Sequence, residues 1–287
     1  MATKRRRKQE SLPVQWEDLT LSDFPKAVKR ARGVCVLPIG VIEPHGPHLP
    51  LSTDMMGARE ASIRAAQKEY AVVFPQYYFG QVHCAKHWPG AIALRPELLD
   101  ALLQEVCDEI ARNGFEKILL VNGHGGDTHR LHYFCQAQLA KRSDYVVYLY
   151  RRSLDPESEQ KIAAMRKTKH GGHADEVESS CIMAIRPDLV HLDRAASIDG
   201  RAKGRLKHLM GRAFTGIWWY ADYPDHYAGD AQPANAELGE LVLKPRSDDL
   251  AKLIREVKQD KVTPKLQEEF FGRMEAPTAE TARKKRR

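Results

Sequence analysis

Apolar residues run without a polar break from 34 to 42 (Val34-Cys35-Val36-Leu37-Pro38-Ile39-Gly40-Val41-Ile42), and a second run, Ile118-Leu119-Leu120-Val121 after Lys117, follows downstream. Short continuous runs of this kind predict buried strands, and the second is of the parallel-sheet type. Val72-Val73-Phe74 and Tyr145-Val146-Val147-Tyr148-Leu149-Tyr150 predict two more. Between them the period changes. Leu98, Leu99, Leu102, Leu103, Val106 and Ile110 recur at helical spacing and predict an amphipathic helix over 96–113, closed by Gly114. Further helices are expected over 22–28, capped by Ser22 or Asp23, over 55–70 with Ala58, Ala61, Ile63 and Ala65 as small apolar positions, over 127–141 and over 174–184, before Pro187. The segment 234–257 is also helical in pattern, with a break expected at Pro245. The stretch 151–172 is polar and irregular, a candidate lid, and 197–227 shows no period apart from the aromatic cluster Trp218-Trp219-Tyr220. Strands alternating with helices imply a single α/β domain, a mostly parallel central sheet with helices on both faces. In such folds ligands sit beyond the carboxyl ends of the strands.

Composition narrows the class. The chain of 287 residues is long enough for a sizeable core. It has no apolar run near the roughly 18 residues that span a bilayer, and its basic N-terminus lacks the apolar segment of a signal peptide. A cytoplasmic protein with no membrane partner is expected. Five cysteines without a C-x-x-C pair read as reduced core thiols. Of the formal +7, each end carries +4 (Lys4 to Lys8 against Glu10; Arg283 to Arg287 against Glu280), which leaves −1 for everything between. The domain is therefore expected over 13–272, between basic disordered tails at 1–12 and 273–287. The tails are suited to loose polyanion contact and not to specific nucleic-acid binding.

The densest chemistry follows the first strand: Glu43-Pro44-His45-Gly46-Pro47-His48-Leu49-Pro50-Leu51-Ser52-Thr53-Asp54. Glu43 and His45 leave the same face of an extended chain. Prolines and a glycine then stiffen a turn that brings Asp54 back toward them. Carboxylate, imidazole and carboxylate at the end of a buried strand have the composition of a divalent metal site. Asn122-Gly123-His124-Gly125-Gly126-Asp127 lies between a strand and a helix but lacks both G-x-G-x-x-G and the G-K-[S/T] ending of a phosphate loop. Its glycines let the backbone pass close to a metal while His124 points inward. In Gly172-His173-Ala174-Asp175-Glu176-Val177-Glu178-Ser179-Ser180, His173 stands at the mouth of a helix and Glu178 one turn in. No G-x-S-x-G is present and no cysteine sits beside a recognisable base, so covalent catalysis has little support.

In this order the three motifs resemble those of the creatininase family, E-x-H-G-x-H-L-P…D, N-G-H-G-G-N and H-A-G-E-x-E-T-S. They cover 34–180, with a weaker echo at Gly229-Asp230. The loop 80–90, which holds His87, is similar to the family's H-x-x-F-P-G-T, with Ala91 in place of Thr, and Asp175 stands where the family usually has Gly. The resemblance implies two divalent ions per subunit, zinc before manganese or iron. Glu43, Asp54 and His124 would hold one ion; His45, Asp54 and a further carboxylate would hold the other, with Asp54 bridging. Creatininases proper take that carboxylate from a Glu two residues after the turn's His, where this chain has Gly126; Glu178 is the candidate in this chain. His173 would be the general acid/base, and His87 and Glu176 would meet the substrate.

The implied activity is metal-dependent hydrolysis of a C–N bond in a cyclic amide, a formamide or a small peptide-like substrate, by a metal-activated water. Creatinine amidohydrolase proper and a mycofactocin-type peptidase are the alternatives within the family. Creatinine hydrolases close lid tryptophans over the ring, and this chain has no Trp between Trp88 and Trp218, which points away from creatinine. A protein that binds polyanions or a partner through its tails is the non-enzyme alternative. A homo-oligomer, a hexamer by resemblance, is expected, with the region 218–227 between subunits.

Overall fold

In the computed structural model, which describes residues 12–209, 211–275 and 277–278, the two apolar runs lie side by side at the centre of one sheet. Strands β1 (Val34–Ile39), β2 (Val72–Val73), β3 (Lys117–Asn122) and β4 (Val146–Leu149) are all parallel and stand in the order β2-β1-β3-β4. β1 and β3 pair along their whole length, from Val34 opposite Lys117 to Ile39 opposite Asn122. Their side chains alternate between two buried faces, which is why the runs are continuous rather than alternating in polarity. Cys35, Leu37, Ile39, Ile118 and Leu120 pack with α1 (Phe24–Arg30), α3 (Pro96–Arg112) and α4 (Thr128–Ala137). Val34, Val36, Leu119 and Val121 pack with α2 (Thr53–Lys68) and α9 (Ala236–Gln259) on the other face. The remaining helices are α5 (Pro156–Met165), α6 (Glu176–Ile185), α7 (Leu192–Ala195), α8 (Trp218–Asp222) and α10 (Val262–Glu275). Truncating Leu120, which is fully buried between β3 and the α3 side, is expected to cost about 2–5 kcal/mol, read as a lower urea midpoint with an unchanged slope.

Two prolines sit where propensity opposes them. Pro38 lies inside a central strand. The Val36 carbonyl accepts from Phe74 N–H and the Gly40 N–H donates to the Tyr77 carbonyl, so residues of this parity face the β2 side. β2 has ended at Val73, and the N–H that Pro38 lacks would have pointed where no ladder continues. Pro245 does not break its helix: α9 runs through it from Ala236 to Gln259, contrary to the expected stop. Leu238, Val242 and Leu243 before it and Leu250 and Ile254 after it are buried, against α2, α6 and the sheet. At roughly 1.5–3 kcal/mol each, that burial exceeds the penalty of about 3 kcal/mol for an interior proline.

The segment expected to be irregular, a candidate lid, is partly helical. It forms α5, capped by the Asp155 carboxylate accepting from Ser158 N–H, and packs on α9. Its end enters a small second sheet, β5 (Gly171–His173) antiparallel to β6 (Ala228–Gly229). α10 extends to Glu275, past the boundary expected at 272, and the rest of both basic ends lies outside the described residues. No helix among the described residues is long and apolar enough to cross a membrane.

The chain order places the site. From β1 the chain crosses to β2 on one side, then returns past β1 to β3 on the other, so the loops after β1 and β3 diverge. The crevice between two such loops is where open α/β sheets bind ligands.

Candidate metal centre

Glu43 and His45 follow β1 directly and are fully buried. The Glu43 N–H donates to the Leu51 carbonyl and closes the proline-rich loop, while Thr53 bonds back to Pro50 through both its N–H and its hydroxyl. That turn starts α2 and puts Asp54 in its first turn, where the helix dipole favours a carboxylate. The turn after β3 lies directly on the same spot. A Cβ on Gly123 would stand 2.4 Å from the Asp54 carbonyl, so glycine is what lets His124 arrive beside Asp54.

Three of the four histidines of the motifs, His45, His124 and His173, are anchored alike. His45 Nδ1 bonds to the Glu43 carbonyl at 3.2 Å, His124 Nε2 to the Gln81 carbonyl at 2.8 Å and His173 Nε2 to the Pro44 carbonyl at 2.8 Å. A carbonyl only accepts, so each of these nitrogens carries the proton and the other ring nitrogen is turned to its surroundings. For His124 that nitrogen, Nδ1, lies 2.9 Å from both Glu43 Oε1 and Asp54 Oδ2. The contacts are short enough for ion pairs, yet neither oxygen receives a directed hydrogen bond. Three ligand atoms facing one point, two of them buried carboxylate oxygens without a donor, call for a cation between them. The free nitrogen of His45, Nε2, is 3.2 Å from Asp54 Oδ1 and 3.8 Å from Glu178 Oε2. Glu43, Asp54 and His124 thus form one compact triad and His45, Asp54 and Glu178 a second, with Asp54 common to both. Glu43, His45 and His173 also lie close enough to form a group.

The electrostatics of the bare protein fit this arrangement. Burial penalises charge throughout, yet the pull of Asp54 raises His45 to about 9. Against the same penalty Glu43 and Asp54 hold His124 well above its usual range, and His124 holds Glu43 well below the usual carboxylate range. Burial lifts Glu178 to about 7. Burial and the nearby charge of His45 push His173 down to about 3, which leaves it a neutral imidazole.

Glu178 reaches the site because Asp175 caps α6, its carboxylate accepting from the N–H groups of Val177 and Glu178. Gly126 holds nothing: a Cβ there would stand 2.4 Å from His124 Nε2, leaving no room for a carboxylate with the ring in place. Two substrate-side assignments are not supported by placement. Glu176 is buried away from the cavity, its carboxylate accepting from the N–H groups of Lys167 and Thr168, because it stands about 200° round the helix from Glu178. His87 is exposed and tied by Nε2 to the Pro224 carbonyl, outside the cavity wall. Sequence reasoning missed His226, whose Nε2 donates to Glu43 Oε2 at 2.8 Å. It lies in the aperiodic 197–227 stretch, and the only nearby signal was the echo at Gly229-Asp230.

Above the carboxylates opens a cavity of about 520 Å³, walled in part by Gln81, His83, Phe214, Trp218 and Trp219. The region expected between subunits therefore contributes two indoles to the cavity, and the absence of Trp between Trp88 and Trp218 does not leave it without them. Neither Lys nor Arg is among the lining residues. Larger surface grooves of about 690 and 700 Å³ lie elsewhere and contain none of the compact ligand groups found among the described residues.

Comparison with known proteins covers the same stretch of chain. Creatinine amidohydrolase from Pseudomonas putida is 27% identical over 194 residues, 62% of this chain and 74% of that protein. The 3-dehydro-scyllo-inosose hydrolase of Thermotoga maritima is 24% identical over 270 residues, 85% of this chain and 83% of its own. A solved candidate creatinine amidohydrolase from Bacteroides fragilis superposes with a TM-score of 0.71 at 26% identity, over 88% of this chain and 99% of that one. Creatininases solved in Zn–Zn and Mn forms share the fold at 24% identity, with TM-scores of 0.71 and 0.70 over 86% and 85% of this chain and 98% of theirs. The family model for creatinine amidohydrolase matches residues 17–254, which takes in all three motifs, the sheet and most of α9. With that match over most of its length, the chain belongs to the creatininase (creatinine amidohydrolase) family of hydrolases.

Proposed function

We propose that this protein hydrolyses the C–N bond of a small amide, cyclic or formyl, with two divalent ions per subunit. The observation that carries the reading is His124 Nδ1 at 2.9 Å from two buried carboxylate oxygens that have no hydrogen-bond donor. Glu43, Asp54 and His124 would hold one ion and His45, Asp54 and Glu178 the other. Zinc is the first candidate, since imidazole and carboxylate ligands suit it, and manganese the second. Ions in these positions lower the pKa of a bound water and polarise a substrate carbonyl.

The chain's own part is proton handling and selection. His173 keeps its Nε2 proton on the Pro44 carbonyl and has Nδ1 free to take a proton from the attacking water and return it to the leaving nitrogen. Its ring stacks on His45 at 4.1 Å, which fixes the distance between proton carrier and ligand set. Trp218 and Trp219 offer flat apolar faces to a ring. Neither Lys nor Arg stands in the wall to pair with an anionic substrate group, and the charge of the buried carboxylates would be offset by the ions they hold. Elemental analysis of the purified protein is expected to find about two ions per chain. Chelation should abolish turnover across a panel of cyclic and formyl amides, and zinc or manganese should restore it. Absence of ions in folded protein would overturn the reading. Deleting residues 1–10 and 279–287 should leave the rate in place; loss of function there and not on chelation would favour binding through the tails.

A further inference from the structure

His226 belongs to no motif read from the sequence, yet it is fully buried and touches the ligand set. Its two ring nitrogens have different partners. Trp219 Nε1 lies 3.2 Å from His226 Nδ1, and an indole N–H only donates, so Nδ1 is the acceptor. The proton must then sit on Nε2, where it is donated to Glu43 Oε2 at 2.8 Å. With Oε2 engaged, the Glu43 oxygen left without a donor is Oε1, the one 2.9 Å from His124 Nδ1. The backbone is held as firmly as the ring. The His226 carbonyl accepts from Gly46 N–H inside the first motif, and its N–H donates to the Tyr223 carbonyl. Its φ of +52° is a left-handed conformation rare outside glycine. Such a conformation persists only when the surroundings impose it.

We infer that Trp219 and His226 are positioning residues for the metal centre: the indole N–H of Trp219 fixes the tautomer of His226, which holds Glu43 by one oxygen and presents the other to the ion. A ligand orientated by a buried outer partner in this way commonly gains 10–100-fold in metal affinity. The arrangement also joins the cavity wall to the centre, because Trp219 lines the cavity from α8. The inference rests on the reading of Glu43 as a ligand, and the test separates the two.

Zinc affinity would be measured on the full chain by competition with a chromogenic chelator, alongside the melting temperature of the metal-free protein. Trp219→Phe keeps a ring against His173 and Tyr223 but removes the N–H; it is expected to weaken zinc about tenfold without lowering the metal-free melting temperature. His226→Ala should weaken it by about 10–100-fold, and His226→Gln, which can still donate to Glu43, should recover much of the loss. Should His226→Ala fail to fold, Trp219→Phe and His226→Gln still decide the matter. Zinc bound by Trp219→Phe as tightly as by the parent, while Glu43→Gln weakens it, would overturn the relay and leave the metal centre standing. A Gln variant no better than Ala would make His226 a filler and overturn it too. Unchanged affinity in Glu43→Gln would overturn both.

Discussion

Asp54→Ala is expected to lose metal and activity together, and to lose more than any other single substitution at the site. Asp54 is the one residue shared by the two carboxylate–histidine triads, with Oδ1 3.2 Å from His45 Nε2 and Oδ2 2.9 Å from His124 Nδ1. Removing it leaves Glu43 with His124 and Glu178 with His45, two ligands on each side where a catalytic zinc takes three from protein. The loss of affinity should therefore exceed the roughly 10–100-fold that accompanies loss of an outer partner. Asp54→Asn keeps the shape and removes the charge, and is expected to fall between the parent and the alanine variant. Ion content, zinc affinity and turnover would be measured on one preparation, with circular dichroism as the check on folding. An alanine variant that keeps both ions would show that Asp54 does not bridge.

His173→Ala separates the proton carrier from the ligands. It is expected to keep its metal while turnover falls by about 10²–10⁴, the usual worth of a positioned acid/base. The prediction rests on the placement of the ring. In the metal-free protein burial and the nearby charge of His45 keep His173 a neutral imidazole, the form that a proton acceptor and a ligand both need. Its Nε2 proton is held by the Pro44 carbonyl, while among the described residues Nδ1 has no hydrogen-bond partner. His173 also groups with Glu43 and His45 within ligand distance, so the opposite outcome is well defined. If the variant loses ions in proportion to its rate, His173 is a ligand; if it keeps both ions and full rate, the proton is handled elsewhere.

The sheet was legible because both of its faces are buried. β1 and β3 had to be continuous apolar runs, and α3 had to carry its stripe of leucines, whatever the rest of the chain did. Five of the candidate ligands were legible for a related reason. Glu43, His45 and Asp54 lie within one short loop and turn, and His124 and Glu178 lie in compact motifs at the ends of elements, so local spacing constrains where they point. Local spacing failed where two outcomes were locally equivalent. Glu176 and Glu178 both open α6, and which of them faces the ligands depends on the rotation of that helix, set by its packing on α9 and by the Asp175 cap. Pro245 should have ended α9 by propensity, and burial on both sides of it prevailed.

Chain order, motif spacing and apolar period are local properties, and they suffice for the α/β class, the family likeness and the first ring of candidate ligands. His226, Trp218 and Trp219 join the site from an aperiodic stretch far along the chain from Glu43. No hydrophobic period marks them, because their places are set by β5–β6 pairing, by the Gly46–His226 backbone bond and by the Trp219–His226–Glu43 contacts. Those are contacts between residues distant in sequence. Their free energy exists once the chain has closed on itself, so the orientation of Glu43 and the composition of the cavity wall become readable only in three dimensions.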